Sequence, residues 1–296
     1  QTGNWHQAET SFKNAVLLAQ KFQTAPESYA EILSEQGMLF RIQGEYDKAF
    51  QNHEQMYRLG QQQDDAFIAA EALHHMGLDE YDRGNLKQAK AYLSLAIEIF
   101  QQLKDAEYEA NALNALGLAL LDNNKIEEAR KTFSKALDIF EGLDDLYASA
   151  QARANLGNIA FATKNFVVAE GYYLKALESF QKLDAQFDII GILNNLGGVA
   201  ISNEDFEKAE RFYQESFLQA KELGDTKGQR DALLNIAKVS NMQGLWDKAE
   251  MSYGQAWELT KILQDRHGLR DLRKRKLRLK ILRWIDSIRV FLRSNG

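Results

Sequence analysis

The sequence predicts an all-α solenoid, a stack of antiparallel helix pairs. Three observations predict it. A pattern returns every 40 residues without slippage over six copies. Each copy carries two stretches of apolar residues spaced three and four apart, the mark of one buried helix face. Only one proline, Pro26, interrupts 296 residues, so long helices meet almost no chemical break. The composition agrees: 45% hydrophobic and 26% charged residues can bury a core, which a disordered chain cannot.

The copies are read in order from "QGMLFRIQGEYDKAF", through "MGLDEYDRGNLKQAK", "LGLALLDNNKIEEAR", "LGNIAFATKNFVVAE" and "LGGVAISNEDFEKAE", to "IAKVSNMQGLWDKAE". A small residue recurs at Gly37, Gly77, Gly117, Gly157, Gly197 and Ala237. A bulky one recurs at Tyr46, Leu86, Ile126, Phe166, Phe206 and Trp246, and an alanine three residues after it, from Ala49 to Ala249. In the sixth copy the first helix presents Ala232, Leu233, Ile236, Ala237 and Val239, and the second presents Ala249, Tyr253, Ala256 and Trp257. A mid-helix glycine costs about 1 kcal/mol relative to alanine, so the recurring one predicts close approach of the partner helix. Linkers such as "DRGNL" and "NMQGLW" supply a glycine that ends a helix in the left-handed conformation. Phe133, Tyr173, Tyr213 and Tyr253 share one repeat position and are expected in the core.

Both ends depart from the pattern. "TGNWHQAETSFKNAVLLAQ" aligns as a second helix alone, with Trp5, Ala8, Phe12 and Ala15 in register. The chain opens on Gln1 and is read as a fragment or processed form, with the Trp5 and Phe12 face needing cover. At the other end "DRHGLRD" copies "DTKGQRD", so a seventh first helix starts on schedule. It then turns basic. Residues 266–296 hold eleven Lys and Arg against two Asp, which leaves −15 on the first 265 residues of a chain whose net charge is −6. The expected organisation is therefore a solenoid over 1–265 and a basic amphipathic helix over 266–296. Leu277, Ile281, Trp284, Ile285, Ile288 and Phe291 form its apolar stripe, expected to cover the Trp257 side of the last repeat as a cap. Arg273, Lys274, Arg275, Lys276, Arg278, Lys280 and Arg283 form its basic face. Capping ranks first; an interaction helix that binds the acidic groove of its own or a neighbouring chain, or joins a further domain, comes next, and an anionic lipid or nucleic-acid surface last.

The spacing of Leu156, Gly157, Phe166, Ala169, Tyr173 and Ala176, repeated over nearly the whole chain, resembles that of tetratricopeptide repeat (TPR) proteins. The usual repeat has 34 residues and often ends in proline. Forty residues without that proline are similar to the long form found in kinesin light chains, cortical polarity adaptors and bacterial Rap-type peptide sensors. The resemblance implies a right-handed superhelix whose first helices line a concave groove. Two places before the small residue the sequence reads Glu35, His75, Ala115, Asn155, Asn195 and Asn235. Peptide-binding members of the family use asparagine there to clamp an extended backbone, which its amide suits by both donating and accepting. Asn111, Asn114, Gln151, Asn158, Asn194, Asp231 and Lys238 are expected to flank the groove. Hydrogen bonding between neighbouring helices is the competing role for these asparagines.

Other chemistry finds little footing. With no cysteine, disulfides and thiolate metal sites are excluded. No phosphate-binding glycine loop occurs. Glu71, His75 and Asp79 stand four apart on one helix and offer at best a weak metal set; a polar helix face is the favoured reading. Asp64–Asp65 and Asp144–Asp145 fall in linkers and read as helix caps. Few Lys or Arg lie in the groove, which argues against a carboxylate clamp and against nucleic acid. No apolar run reaches the roughly 20 residues a bilayer crossing needs. The sequence thus predicts a cytoplasmic, non-enzymatic scaffold, without cofactor or metal, that binds a basic or amphipathic peptide or protein segment. The alternative is a sensory or dimerisation module of a larger bacterial signalling or transcription-regulatory protein.

Overall fold

The computed structural model describes residues 2–22 and 24–294. Among them are fourteen helices: α1 (Thr2–Phe22), α2 (Pro26–Ile42), α3 (Tyr46–Gln63), α4 (Ala66–Asp82), α5 (Leu86–Leu103), α6 (Ala106–Asp122), α7 (Ile126–Gly142), α8 (Leu146–Ala162), α9 (Phe166–Lys182), α10 (Gln186–Ser202), α11 (Phe206–Glu222), α12 (Thr226–Met242), α13 (Trp246–Ile262) and α14 (Arg266–Ser294). Helices α2 to α13 form six first-helix/second-helix pairs. The chain divides into two compact units, residues 1–152 and 153–296.

The turns keep one geometry throughout. Within each pair a residue adopts positive φ: Gly44, Gly84, Asn124, Lys164, Glu204 and Gly244. Its backbone satisfies carbonyls that the helix end leaves free, as where Lys164 N donates to Phe161 O and Asn165 N to Ala160 O. Glycine adopts this conformation without cost, yet the turn forms equally on Lys164 and Glu204. At four of the five junctions between pairs an aspartate opens the next helix. Asp65 accepts from the amides of Phe67 and Ile68, Asp105 from Tyr108, Asp145 from Ala148 and Asp225 from Lys227. The paired acids of the linkers thus divide into a left-handed residue, Asp64 or Asp144, and a cap.

The recurring small residue answers to a steric demand. In unit 1 a Cβ on Gly117 would stand 2.6 Å from the Phe133 ring; in unit 2 one on Gly157 would stand 2.6 Å from that of Tyr173. The large residues at this repeat position form the cores. Leu93 and Phe133 in unit 1, and Tyr173, Tyr213 and Tyr253 in unit 2, are at most 4% exposed. The same position in the first pair holds His53, which is fully buried.

The C-terminal helix departs from the expected packing. Leu272 and Leu279 are buried in a cluster with Leu233, Ala237, Ala249, Tyr253 and Ala256, against which Trp246 and Trp257 pack. Leu277 (61% exposed), Ile281, Trp284 and Ile288 instead face outward; Ile285 is half-buried, and the side chain of Phe291, like that of His6, lies outside the described residues. The reason is register. Leu272 and Leu279 follow Ala232 and Val239 by 40 residues, so α14 docks as every earlier first helix does. Leu277 takes the place of the small residue, on the side where earlier pairs receive a second helix. Helix α14 packs on the last pair through Leu272 and Leu279, and the stripe with the highest apolar content does not make that contact. Trp246 Nε1 donates to Asp286 at 3.1 Å and Arg283 pairs with Asp247 at 2.9 Å, which tie the extended part of α14 to α13.

Candidate first-helix binding face

Unit 1 carries a cavity of about 720 Å³ built entirely from first helices and one cap. Helix α2 contributes Glu27, Ala30, Glu31, Ser34, Glu35 and Met38; α4 and its cap contribute Asp65, Phe67, Ile68, Glu71, His74, His75 and Leu78; α6 contributes Tyr108, Asn111, Asn114, Ala115 and Leu118. Several walls are repeat-equivalent: Glu31, Glu71 and Asn111; Ser34, His74 and Asn114; Met38, Leu78 and Leu118. A residue pointing inward in one repeat therefore points inward in the next. The cavity brings together His75, Asn111 and Asn114 from the expected groove set, and Glu35 with them.

Beneath this face lies a polar cluster. His53 Nδ1 stands 2.6 Å from Asp79 Oδ2, with both side chains wholly buried. The His75 ring stacks on that of His53 at 4.9 Å between centroids, and its Nε2 lies 3.2 Å from the Ser34 hydroxyl. Burial, with the charges of Arg41 and His53 nearby, lowers the pKa of His74 to about 4. Burial and the charge of His53 hold His75 well below the ordinary imidazole value. Both rings are thus neutral near pH 7. Burial raises the Glu71 carboxyl, and the like charge of Glu31 adds to it. Asp79 does not join Glu71 and His75 on one polar face as its spacing suggests, because it turns inward to His53. No group of three metal-type ligands is placed to hold an ion among the described residues. The His53–Asp79 pair escaped sequence reasoning, although a signal existed: His53 stands where other repeats carry Leu, Phe or Tyr.

In unit 2 the asparagines bond one another. Asn195 Nδ2 donates to Asn158 Oδ1 at 3.3 Å, which also accepts from the Tyr173 hydroxyl at 2.8 Å. Asn235 Nδ2 donates to Asn194 Oδ1 at 3.1 Å, while Asn194 Nδ2 donates to Ile190 O and Ser216 Oγ, both at 2.9 Å. These amides link adjacent first helices, the competing role, and remain half-buried to exposed at the same face. Asn155 and Gln151 are half-buried, and Asp231 pairs with Arg230 at 2.7 Å.

The basic residues of α14 do not share one face. Lys274, Arg275 and Arg278 join Lys238, Asn241, Tyr253 and Asp271 around a recess of about 430 Å³. They stand 40 residues after Leu234, Asn235 and Lys238, so cations follow the asparagines of unit 2 at equivalent repeat positions. Lys276 lies over the Trp257 ring at 5.9 Å, Arg283 is engaged by Asp247 and Glu250, and Arg273 and Lys280 are exposed.

The tetratricopeptide repeat family model matches residues 68–142, 108–182 and 188–261. A comparison with curated proteins finds no match. Among solved structures the chain is similar to a signal transduction ATPase with numerous domains and a tetratricopeptide repeat sensor from Pyrococcus horikoshii (18% identity, 89% of this chain and 41% of that one, TM-score 0.73). It is similar to a kinesin light chain-type protein with TPR-like repeats from Podosopora anserina (14% identity, 66% and 95%, TM-score 0.57). It is also similar to a Rap protein complexed with competence and sporulation factor (16% identity, 95% and 87%, TM-score 0.61). These likenesses show the fold, and the family model covers most of the sequence: the chain belongs to the tetratricopeptide repeat family.

Proposed function

We propose that the chain is a non-enzymatic interaction module that captures a peptide or a segment of a partner protein on its first-helix faces. The observation that carries this reading is the cavity of unit 1, assembled from equivalent positions of three successive first helices. A repeat array offers such positions at regular spacing, which suits an extended chain. In unit 2, Asn155, Asn195 and Asn235 would hold the backbone of the bound segment. The −15 carried by residues 1–265 favours a basic or amphipathic ligand. Replacing the three asparagines by alanine should abolish capture of the partner while circular dichroism reports unchanged helicity. Wild-type capture by that variant would remove the asparagines from the site.

The similarity to an ATPase of which the chain spans 41% supports a second reading, a sensory module within a larger signalling protein. An effector domain encoded next to the repeats in the full gene would favour it.

A further inference from the structure

The cavity of unit 1 is chemically one-sided. Five carboxylates line it and no lysine or arginine does. Asp65 is spent on the amides of Phe67 and Ile68. Glu27, Glu31 and Glu35 have no cationic partner among the described residues, and Glu71 reaches only the neutral His75, at 4.0 Å. Phe67 and Tyr108 meet edge to face at 4.9 Å and form an aromatic wall on which a cation can rest. Met38, Ile68, Leu78 and Leu118 supply apolar surface for an aliphatic stem. His74 Nδ1 and His75 Nδ1 are buried without a partner, and His75 keeps only 12% of its side-chain exposure. A buried polar atom of that kind marks a place where a hydrogen-bonding group is missing. The volume falls within the range of about 300–1,000 Å³ typical of ligand pockets, several times the size of a bare metal ion.

We infer that this cavity takes the guanidinium or ammonium group of an arginine or lysine carried by the bound segment, with its stem along the apolar wall and its charge between Glu31 and Glu71. The inference rests on the segment-binding reading above and names the chemistry that this part of the face selects. A cation there relieves the mutual repulsion of the carboxylates and supplies donors that water alone holds less firmly.

Selection of random phage-displayed dodecapeptides on the whole chain tests it, followed by fluorescence polarisation of the best peptide. The expected result is a basic residue enriched at one position. Replacing an arginine there by neutral citrulline should weaken binding about ten- to hundredfold, the size of a hydrogen-bonded charge contact. Glu31→Gln with Glu71→Gln should weaken the parent peptide similarly and leave the citrulline peptide unaffected. The citrulline arm leaves the protein untouched, so the test survives a variant that folds poorly. Selected peptides without a basic position, or parent and citrulline peptides that bind alike, would overturn the inference while sparing the segment-binding reading. Failure to select any peptide would overturn both. Binding of spermidine through the same carboxylates, with no peptide selected, would make a free polyamine the ligand and remove the segment as the source of the cation.

Discussion

His53 and Asp79 face each other at 2.6 Å inside unit 1 with neither side chain reaching solvent. The equivalent pair one repeat later is Leu93 and Ala119, both buried. The fold therefore accepts either solution, and the polar one is optional for packing. Removing one member leaves the other buried without its partner, which costs about 3–5 kcal/mol. Asp79→Ala should lower stability by about that amount in urea unfolding, whereas His53→Leu with Asp79→Ala, which copies the next repeat, should stay within about 1 kcal/mol of wild type. A double variant as unstable as the single one would show that the pair contributes more than mutual compensation.

Acid should loosen unit 1 in a defined direction. His74, with its pKa near 4, and His75, held well below its ordinary value, bind protons less readily folded than unfolded, where imidazole titrates near pH 6.5. The unfolded chain takes up more protons, so stability falls as pH drops from about 6.5 towards 4. Glu71, raised by burial, works the other way: its contribution is present at low pH and is lost as pH climbs past its ordinary value. Two histidines outweigh one partly exposed carboxyl. The thermal midpoint, followed by circular dichroism, should decline over that window, and His74→Gln with His75→Gln should flatten the decline. An unaltered slope would place the acid sensitivity elsewhere.

Among the five junctions between the helix pairs α2 to α13, one lacks its cap. Ala185 stands where Asp65, Asp105, Asp145 and Asp225 accept amide hydrogens, and it makes no side-chain cap. Ala185→Asp should stabilise the chain by about 1 kcal/mol, read as a rise in the urea midpoint at unchanged slope. A fall would mean that the turn there resists the extended backbone a capping side chain needs.

The two apolar edges of α14 should behave differently. Leu279 is 3% exposed and sits in the core cluster of α12 and α13, whereas Trp284 is 65% exposed. Leu279→Ala should cost about 2–5 kcal/mol, and Trp284→Ala should stay within about 0.5 kcal/mol. Chemical denaturation followed at 222 nm separates them; equal losses would mean that the outward stripe is covered in solution.

The 40-residue period alone led to the helix pairs, the left-handed turns, the aspartate caps and the tyrosine core. Each is a local rule repeated along the chain, so the copies check one another. His75, Asn111 and Asn114 line one cavity because a fixed phase relative to the small residue fixes a direction. Less legible was whatever depends on a neighbour 20 to 40 residues away. The sequence left Asn195 and Asn235 between clamping a ligand and bonding a neighbouring helix; adjacent helices bring Asn158 and Asn194 within hydrogen-bond reach of them. Composition marked Leu277, Ile281 and Trp284 as the buried stripe of the last helix; the position of α13 selected Leu272 and Leu279 instead.

By itself, then, the sequence determined the family and the elements, since these follow from helical period and turn chemistry within one repeat. Only the tertiary structure decided which inward side chains satisfy one another. It buried His53 against Asp79 and gathered five carboxylates around one cavity without a cation. Charge, burial and hydrogen bonding act across space between neighbouring helices, and no period along the chain records those distances.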